Sequence, residues 1–154
     1  MKIIRLNLFL ILMGVITLSC HHTDSTRGDK AAMKQFSEAW EANGSSGNRV
    51  ANVDLIIDDG ILIRSGKVYS GKEEIRDFLS KQEAKVHFIH QEMKQVKKWS
   101  SEDFLISVGV RTIVYIDSES GDTISTSVPA VNIFERQKDG SVKLACSMKD
   151  SSGK

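Results

Sequence analysis

Cysteine is nearly missing from this chain, with only Cys20 and Cys146 among 154 residues. A disulfide framework of the kind that staples small secreted domains is therefore excluded. The chain also has no excess of charge of either sign: Lys and Arg number 21 against 20 Asp and Glu. Setting aside Lys2 and Arg5 of the leader leaves 19 against 20. That balance offers no electrostatic hold on nucleic acid, and the cluster Lys94, Lys97, Lys98 lies beside Glu92, Glu102 and Asp103, as a solvated strand face would. The long apolar run Leu6–Ser19 falls short of the roughly 20 residues that a permanent transmembrane helix needs. Nothing in the residues calls for a cofactor or a metal. The adjacent pair His21-His22 has no further ligands beside it and makes a poor metal site.

What is present first is an address. Lys2 and Arg5 form a basic start, the apolar run follows, and small Ser19 precedes Cys20. Residues 1–19 are expected to be an export signal peptide. The segment Ile16-Thr17-Leu18-Ser19-Cys20 resembles the bacterial lipoprotein box, with Thr17 where an aliphatic residue is usual. The resemblance implies a lipid on Cys20 and a membrane anchor at the cell envelope, each buried methylene adding about 0.8 kcal/mol of affinity. Cleavage to a soluble periplasmic or secreted protein is the alternative. Residues 20–29, rich in Thr, Ser, Asp and His, are expected to be a flexible tether, and residues 30–150 one folded domain. About 125 residues can bury roughly two-thirds of their unfolded surface, enough for a core without staples.

Within that domain, Met33, Phe36 and Trp40 fall at i, i+3 and i+7 and predict a helix, stopped by Asn43-Gly44-Ser45-Ser46-Gly47. A second short helix is expected to turn Val50, Val53 and Ile57 inward and to end at Asp58-Asp59-Gly60, before a brief strand Ile61–Ile63. Ser70-Gly71-Lys72-Glu73 has the form of a capping box and predicts a third helix with Ile75, Phe78 and Leu79 buried. Four long antiparallel strands follow, at Val86–Trp99, Phe104–Ile116, Thr123–Arg136 and Ser141–Met148. In the second of these, Phe104, Ile106, Val108, Val110, Val114 and Ile116 share a face and are expected to look toward the helices. Ser107, Gly109 and Arg111, with Leu105, Ile113 and Tyr115, would then form a half-apolar outer face. Pro129 predicts a bulge or an edge, and Cys146 a small buried strand residue.

Three helices before a curled sheet, with Asp58-Asp59-Gly60-Ile61-Leu62, then Gly71-Lys72-Glu73-Glu74-Ile75, then Arg136-Gln137-Lys138-Asp139-Gly140, resemble the SnoaL-like and nuclear-transport-factor-2-like superfamily. The likeness covers about residues 31–147, with Val142 where relatives commonly have tryptophan. It implies an α+β, cone-shaped cystatin-like fold in which three N-terminal helices pack on a curved antiparallel sheet around an apolar pocket. It also implies homodimerisation through the open sheet face, which is common in relatives. The superfamily contains both enzymes and binding proteins, so function has to come from the site.

Ketosteroid isomerases of this fold use an Asp base and an oxyanion hole of Tyr and protonated acid. Laid on the shared motifs, those places hold Phe36, Arg64 and Asn132, none of which supplies the chemistry. Two readings of the pocket follow. In the first, a non-catalytic domain takes a small amphipathic or anionic molecule, with Phe36, Trp40, Val108 and Val110 as lining, Arg64 as anionic anchor and Asn132 and Tyr69 as polar fixers. In the second, a dehydratase or isomerase uses His87 or His90 with an acidic partner, Asp58 being the one proposed for His87. A structural or partner-binding module is the third reading.

Overall fold

The computed structural model describes residues 25–149. Cys20, the paired histidines and the leader lie outside them. Helix α1 (Ser25–Ser45) is followed by a 3-10 helix (Arg49–Leu55), β1 (Ile56–Arg64), β2 (Lys67–Ser70), α2 (Gly71–Glu83), β3 (Val86–Ser100), β4 (Phe104–Asp117), β5 (Thr123–Arg136) and β6 (Val142–Lys149). One six-stranded sheet runs in the order β2-β1-β6-β5-β4-β3. It is mixed, because β1 and β6 pair in parallel while every other neighbour is antiparallel. The expected α+β cystatin-like cone is present: three helices close the concave side of a bent sheet.

Local sequence explains most of this layout. The α1 stripe buries Ala32 and Trp40, with Met33 and Phe36 packed against the same core. Phe36 stacks on Trp40 and meets Phe134 of β5 edge-on at 4.9 Å. Helix α2 buries Ile75 and Leu79 against β1, with Phe78 beside them. Its start differs from a capping box in one detail: the Ser70 amide donates to Glu74 Oε2 at 2.8 Å, one residue beyond Glu73, and the Ser70 side chain makes no cap bond.

Three expectations are corrected. The β1 strand begins at Ile56, so Asp58-Asp59-Gly60 lies inside it rather than ending a helix. Its pairing with β6 shifts register between Ile56 and Ile61, and the two exposed aspartates sit in that irregular stretch. The short strand β2 was not anticipated; a hairpin turn at Ser65 (φ 50°) and Gly66 (φ 73°) creates it. The tether expected over 20–29 overlaps α1, and Asp29 in that helix is only 1% exposed. Its carboxylate accepts from Ser100 Oγ at 2.9 Å and pairs with Arg136 Nη2 at 2.5 Å and Lys98 Nζ at 3.6 Å. That buried charge ties α1 to β3 and β5.

The faces of β4 are also reversed. Leu105, Ser107, Gly109 and Ile113 are the buried set, whereas Val110 is 37% exposed and Phe104 40%. Ser107 and Gly109 thus share the concave side with Leu105 and Ile113. Gly109 allows the close fit at the edge, since a Cβ there would meet Lys94 O at 2.2 Å, beside the register shift at Gln95 and Lys97. Pro129 lies in an inner strand, opposite Val110 of β4. The described pairing with β6 begins only at Ala130, so its missing N–H breaks no β5–β6 hydrogen bond among the described residues. Cys146 is half-buried and makes no disulfide.

Candidate ligand-binding site

Two chambers lie between the helices and the concave face. The first, of about 60 Å³, is roofed by Met33, Phe36, Ser37 and Trp40 of α1 and floored by Ser107, Arg111, Asn132, Phe134 and Leu144. Gln91, Glu92 and Met93 of β3 form its side. It is an apolar roof over a floor with a few polar groups, the usual form of a small-molecule site. Arg111 Nη2 donates to Asn132 Oδ1 at 3.0 Å, and Ser107 Oγ accepts from Gln95 at 2.9 Å.

The second chamber, of about 20 Å³, is the tighter one. Leu62, Phe78, Leu79, Phe88 and Ile113 supply its apolar wall, and Arg49, Arg64, Arg111 and Lys149 its charge. No carboxylate belongs to this lining among the described residues. Trp40, Gln91 and Arg111 border both chambers and form the partition between them. On the other side, Arg64, Phe78, Gln82 and Lys149 also line an outer hollow of about 240 Å³ with Ser65, Lys67 and Tyr69. The three spaces therefore run in series, with Arg64 and Lys149 at the inner doorway and Arg111 at the partition.

The strand ladder places these cations. Arg64 of β1 and Lys149 of β6 are register partners, and Lys149 in turn is opposite Ala130 of β5. Buried Arg64 (7% exposed) is held by Nη1 donating to Ile63 O at 2.8 Å and Ser147 O at 2.7 Å, and by Nη2 donating to Ser147 Oγ at 2.9 Å. Arg49 lies over the Phe88 ring, 5.3 Å from its centre. Burial, then the nearby Arg111 guanidinium, pulls Arg64 down to about 9, and burial alone takes Arg111 to about 10. Both stay charged at neutral pH. Burial, followed by Arg64, Arg111 and Arg49, brings Lys149 down to about 7, where its charge becomes conditional.

The residues expected to form the site divide among these places. Phe36, Trp40 and Asn132 share the first chamber, Arg64 lines the second, and Tyr69 lines the outer hollow, its ring 4.4 Å from Phe78. Val110 is absent from the interior because it points out of the convex face. His87 is exposed and borders a separate surface hollow with Arg49, Glu83 and Ser118. Its suggested partner Asp58 is instead bonded to Lys72 at 2.7 Å. His90 does meet a carboxylate, Glu41 of α1, but on an exposed surface away from both chambers. Sequence reasoning missed Arg49, Arg111 and Lys149. The signal for Arg111 was its position in phase with Ser107 and Gly109, a small-residue row beneath a bulky helix. For Lys149 it was the β6 alternation, which puts it in phase with buried Ser147.

No protein-family model matches the chain, and no curated protein matches it by sequence. Solved structures do match its shape. A conserved protein from Planctomyces limnophilus is 18% identical with a TM-score of 0.69, over 80% of this chain and 96% of that one. A ketosteroid isomerase-like protein from Erwinia carotovora atroseptica is 15% identical with a TM-score of 0.66, over 80% and 96%. A nuclear-transport-factor-2-like protein with a cystatin-like fold from Novosphingobium aromaticivorans is 13% identical with a TM-score of 0.62, over 84% and 86%. The fold is thus the cystatin-like cone of nuclear-transport-factor-2-like proteins. At these identities the likeness extends to the fold alone.

Proposed function

We propose that this domain binds a small amphipathic anion inside the cone and performs no chemistry on it, and that it does so at the cell envelope, held there by lipid on Cys20. The carrying observation is the pair of chambers joined at Arg111: an aromatic roof of Phe36 and Trp40 on one side, a carboxylate-free cationic wall on the other. Arg111 gives one of its donors to Asn132 Oδ1 and has further N–H groups to offer a ligand. The ketosteroid isomerase-like neighbour raises the isomerase alternative, which fits less well. The positions that would carry its tyrosine, base and acid hold Phe36, Arg64 and Asn132, and neither candidate histidine lines either chamber.

The test uses Trp40 as reporter. With Trp99→Phe removing the other tryptophan, titration with hexanoate is expected to shift Trp40 emission, and Arg111→Met to weaken the response about tenfold or more. An emission unmoved by hexanoate, or moved equally in Arg111→Met, contradicts the reading.

A second reading concerns the convex face, and it adds a partner without replacing the ligand. Register puts Ile61, Cys146, Ile133, Ile106 and Trp99 in one outer row and Ile63, Met148, Val131 and Val108 in the next. Val110, Trp99 and Met148 are well exposed. A contiguous apolar sheet face of this kind is what a second copy of the chain would cover.

A further inference from the structure

The inner chamber goes beyond what a generic anion requires. Two basic side chains are set in register, Arg64 against Lys149, on adjacent strands that both turn them inward, so that protonating Lys149 sets like charges against each other. Like charges directly opposite in a ladder destabilise it. A third cation, Arg111, reaches the same space from β4, and a fourth, Arg49, from the 3-10 helix. Among the described residues none of the four makes an ion pair with a carboxylate. Glu83 of α2 acts on Arg49 electrostatically and lies outside the chamber lining, and Gln82 of α2 brings an uncharged amide. Cys146 on β6 is the remaining titratable group that acts on Arg64. A ligand with a single negative charge leaves most of this repulsion in place.

We propose that the inner chamber is a site for a compact doubly charged oxyanion of the phosphate type, held by Arg64, Arg111 and Lys149, with Lys149 taking up a proton as the anion arrives. The inference rests on the reading of the cone as an anion-binding site and names the head group. Compactness follows from the space: about 20 Å³ holds one or two waters, so a tetrahedral oxyanion of five heavy atoms seats partly in the chamber and partly in the doorway between Arg64 and Lys149, which opens on the outer hollow of about 240 Å³, whereas an extended dicarboxylate has no room to lie inside. Proton uptake follows from the surroundings of Lys149. Its ammonium is suppressed by burial and by Arg64, Arg111 and Arg49, and a dianion among them reverses the sign of the local field. The outer hollow gives the anion its way in, past Lys67 and between Arg64 and Lys149. An organic tail on the phosphoryl group would continue past Arg111 under Trp40.

The experiment is isothermal calorimetry and thermal melting on residues 25–154 and on the full chain, with inorganic phosphate, sulfate, acetate and hexyl phosphate at one ionic strength. Phosphate and sulfate are expected to raise the melting temperature and acetate to leave it nearly unchanged. Binding heats at pH 7.5 in buffers of different ionisation enthalpy should show net proton uptake. Lys149→Met should abolish the uptake, and Arg64→Met should weaken phosphate binding at least tenfold, while Lys81→Ala on the exposed side of α2 should change neither. Hexyl phosphate binding more tightly than phosphate, with a shift in Trp40 emission, identifies the anion as the head of an amphiphile; equal binding without that shift identifies free phosphate. Acetate acting as well as phosphate, or phosphate effects that survive both substitutions, overturns the dianion site. Hexanoate binding that persists in that case leaves the simpler anion reading standing, so the two failures are distinguishable.

Discussion

Arg64 and Lys149 stand side by side in register on the parallel strands β1 and β6, two basic side chains turned into the same chamber. A folding domain gains nothing from this arrangement. The Ser147 carbonyl and hydroxyl hold Arg64 in place, yet they do not neutralise it. On the anion-binding reading proposed above, the pair forms a site at a cost to the stability of the domain, a common compromise where function needs an unfavourable grouping.

It follows that Lys149→Met should make the ligand-free domain more stable, by about 1 kcal/mol, since replacing a buried charge with an apolar side chain of similar volume is often neutral or stabilising. Urea denaturation in a phosphate-free buffer checks this. A variant that is destabilised by as much as an ordinary core mutant would show that Lys149 has a structural partner.

Stability should also depend on pH in a particular direction. Lys149 is lowered from 10.5 to about 7 in the fold, so between these values the unfolded chain binds the extra proton. Stability then rises with pH across that window, and the penalty is fully present below it. Melting temperatures from pH 6 to 9.5 should climb in the wild type and climb less in Lys149→Met. Identical slopes would contradict the assignment.

Asp29 provides the opposite case, a buried charge that is paired. Asp29→Ala leaves Arg136 and Lys98 facing an emptied site and should cost about 3 kcal/mol or more of unfolding free energy. Truncating the chain before Ala31 should do comparable damage, whereas a mere tether would tolerate both. Urea midpoints of the two variants measure it.

The convex face predicts a dimer. Light scattering on the domain should give twice the monomer mass, and Val110→Lys combined with Met148→Glu should return it to monomer without loss of hexanoate binding. A monomeric wild type removes the partner reading. Separately, Cys20→Ala should move the protein from the membrane to the soluble fraction of the bacterium that expresses it, and an unchanged distribution would dismiss the lipid anchor.

Much of the fold was legible because long strands carry strong signals. The alternation from Phe104 to Ile116 and the glycine-marked turn at Asp139-Gly140 locate β4 to β6 closely. The α1 stripe of Met33, Phe36 and Trp40 was equally plain. What was not legible is which face of β4 turns inward. Apolar residues ordinarily mark the core, but here the concave side is kept partly open, so Ser107, Gly109 and Arg111 are inside and the valines outside. That reversal also hid the site. Phe36, Arg64 and Asn132 could be named from the family pattern and Trp40 from the helix stripe, while Arg111 and Lys149 could not, because their convergence depends on the β1–β6 pairing and on the curvature of the sheet.

The most direct test is a crystal structure of the domain grown with hexyl phosphate. The expected density is a tetrahedral group among Arg64, Arg111 and Lys149, with the alkyl tail under Trp40. Density confined to the outer surface, or interior chambers holding only water at saturating ligand, would contradict it.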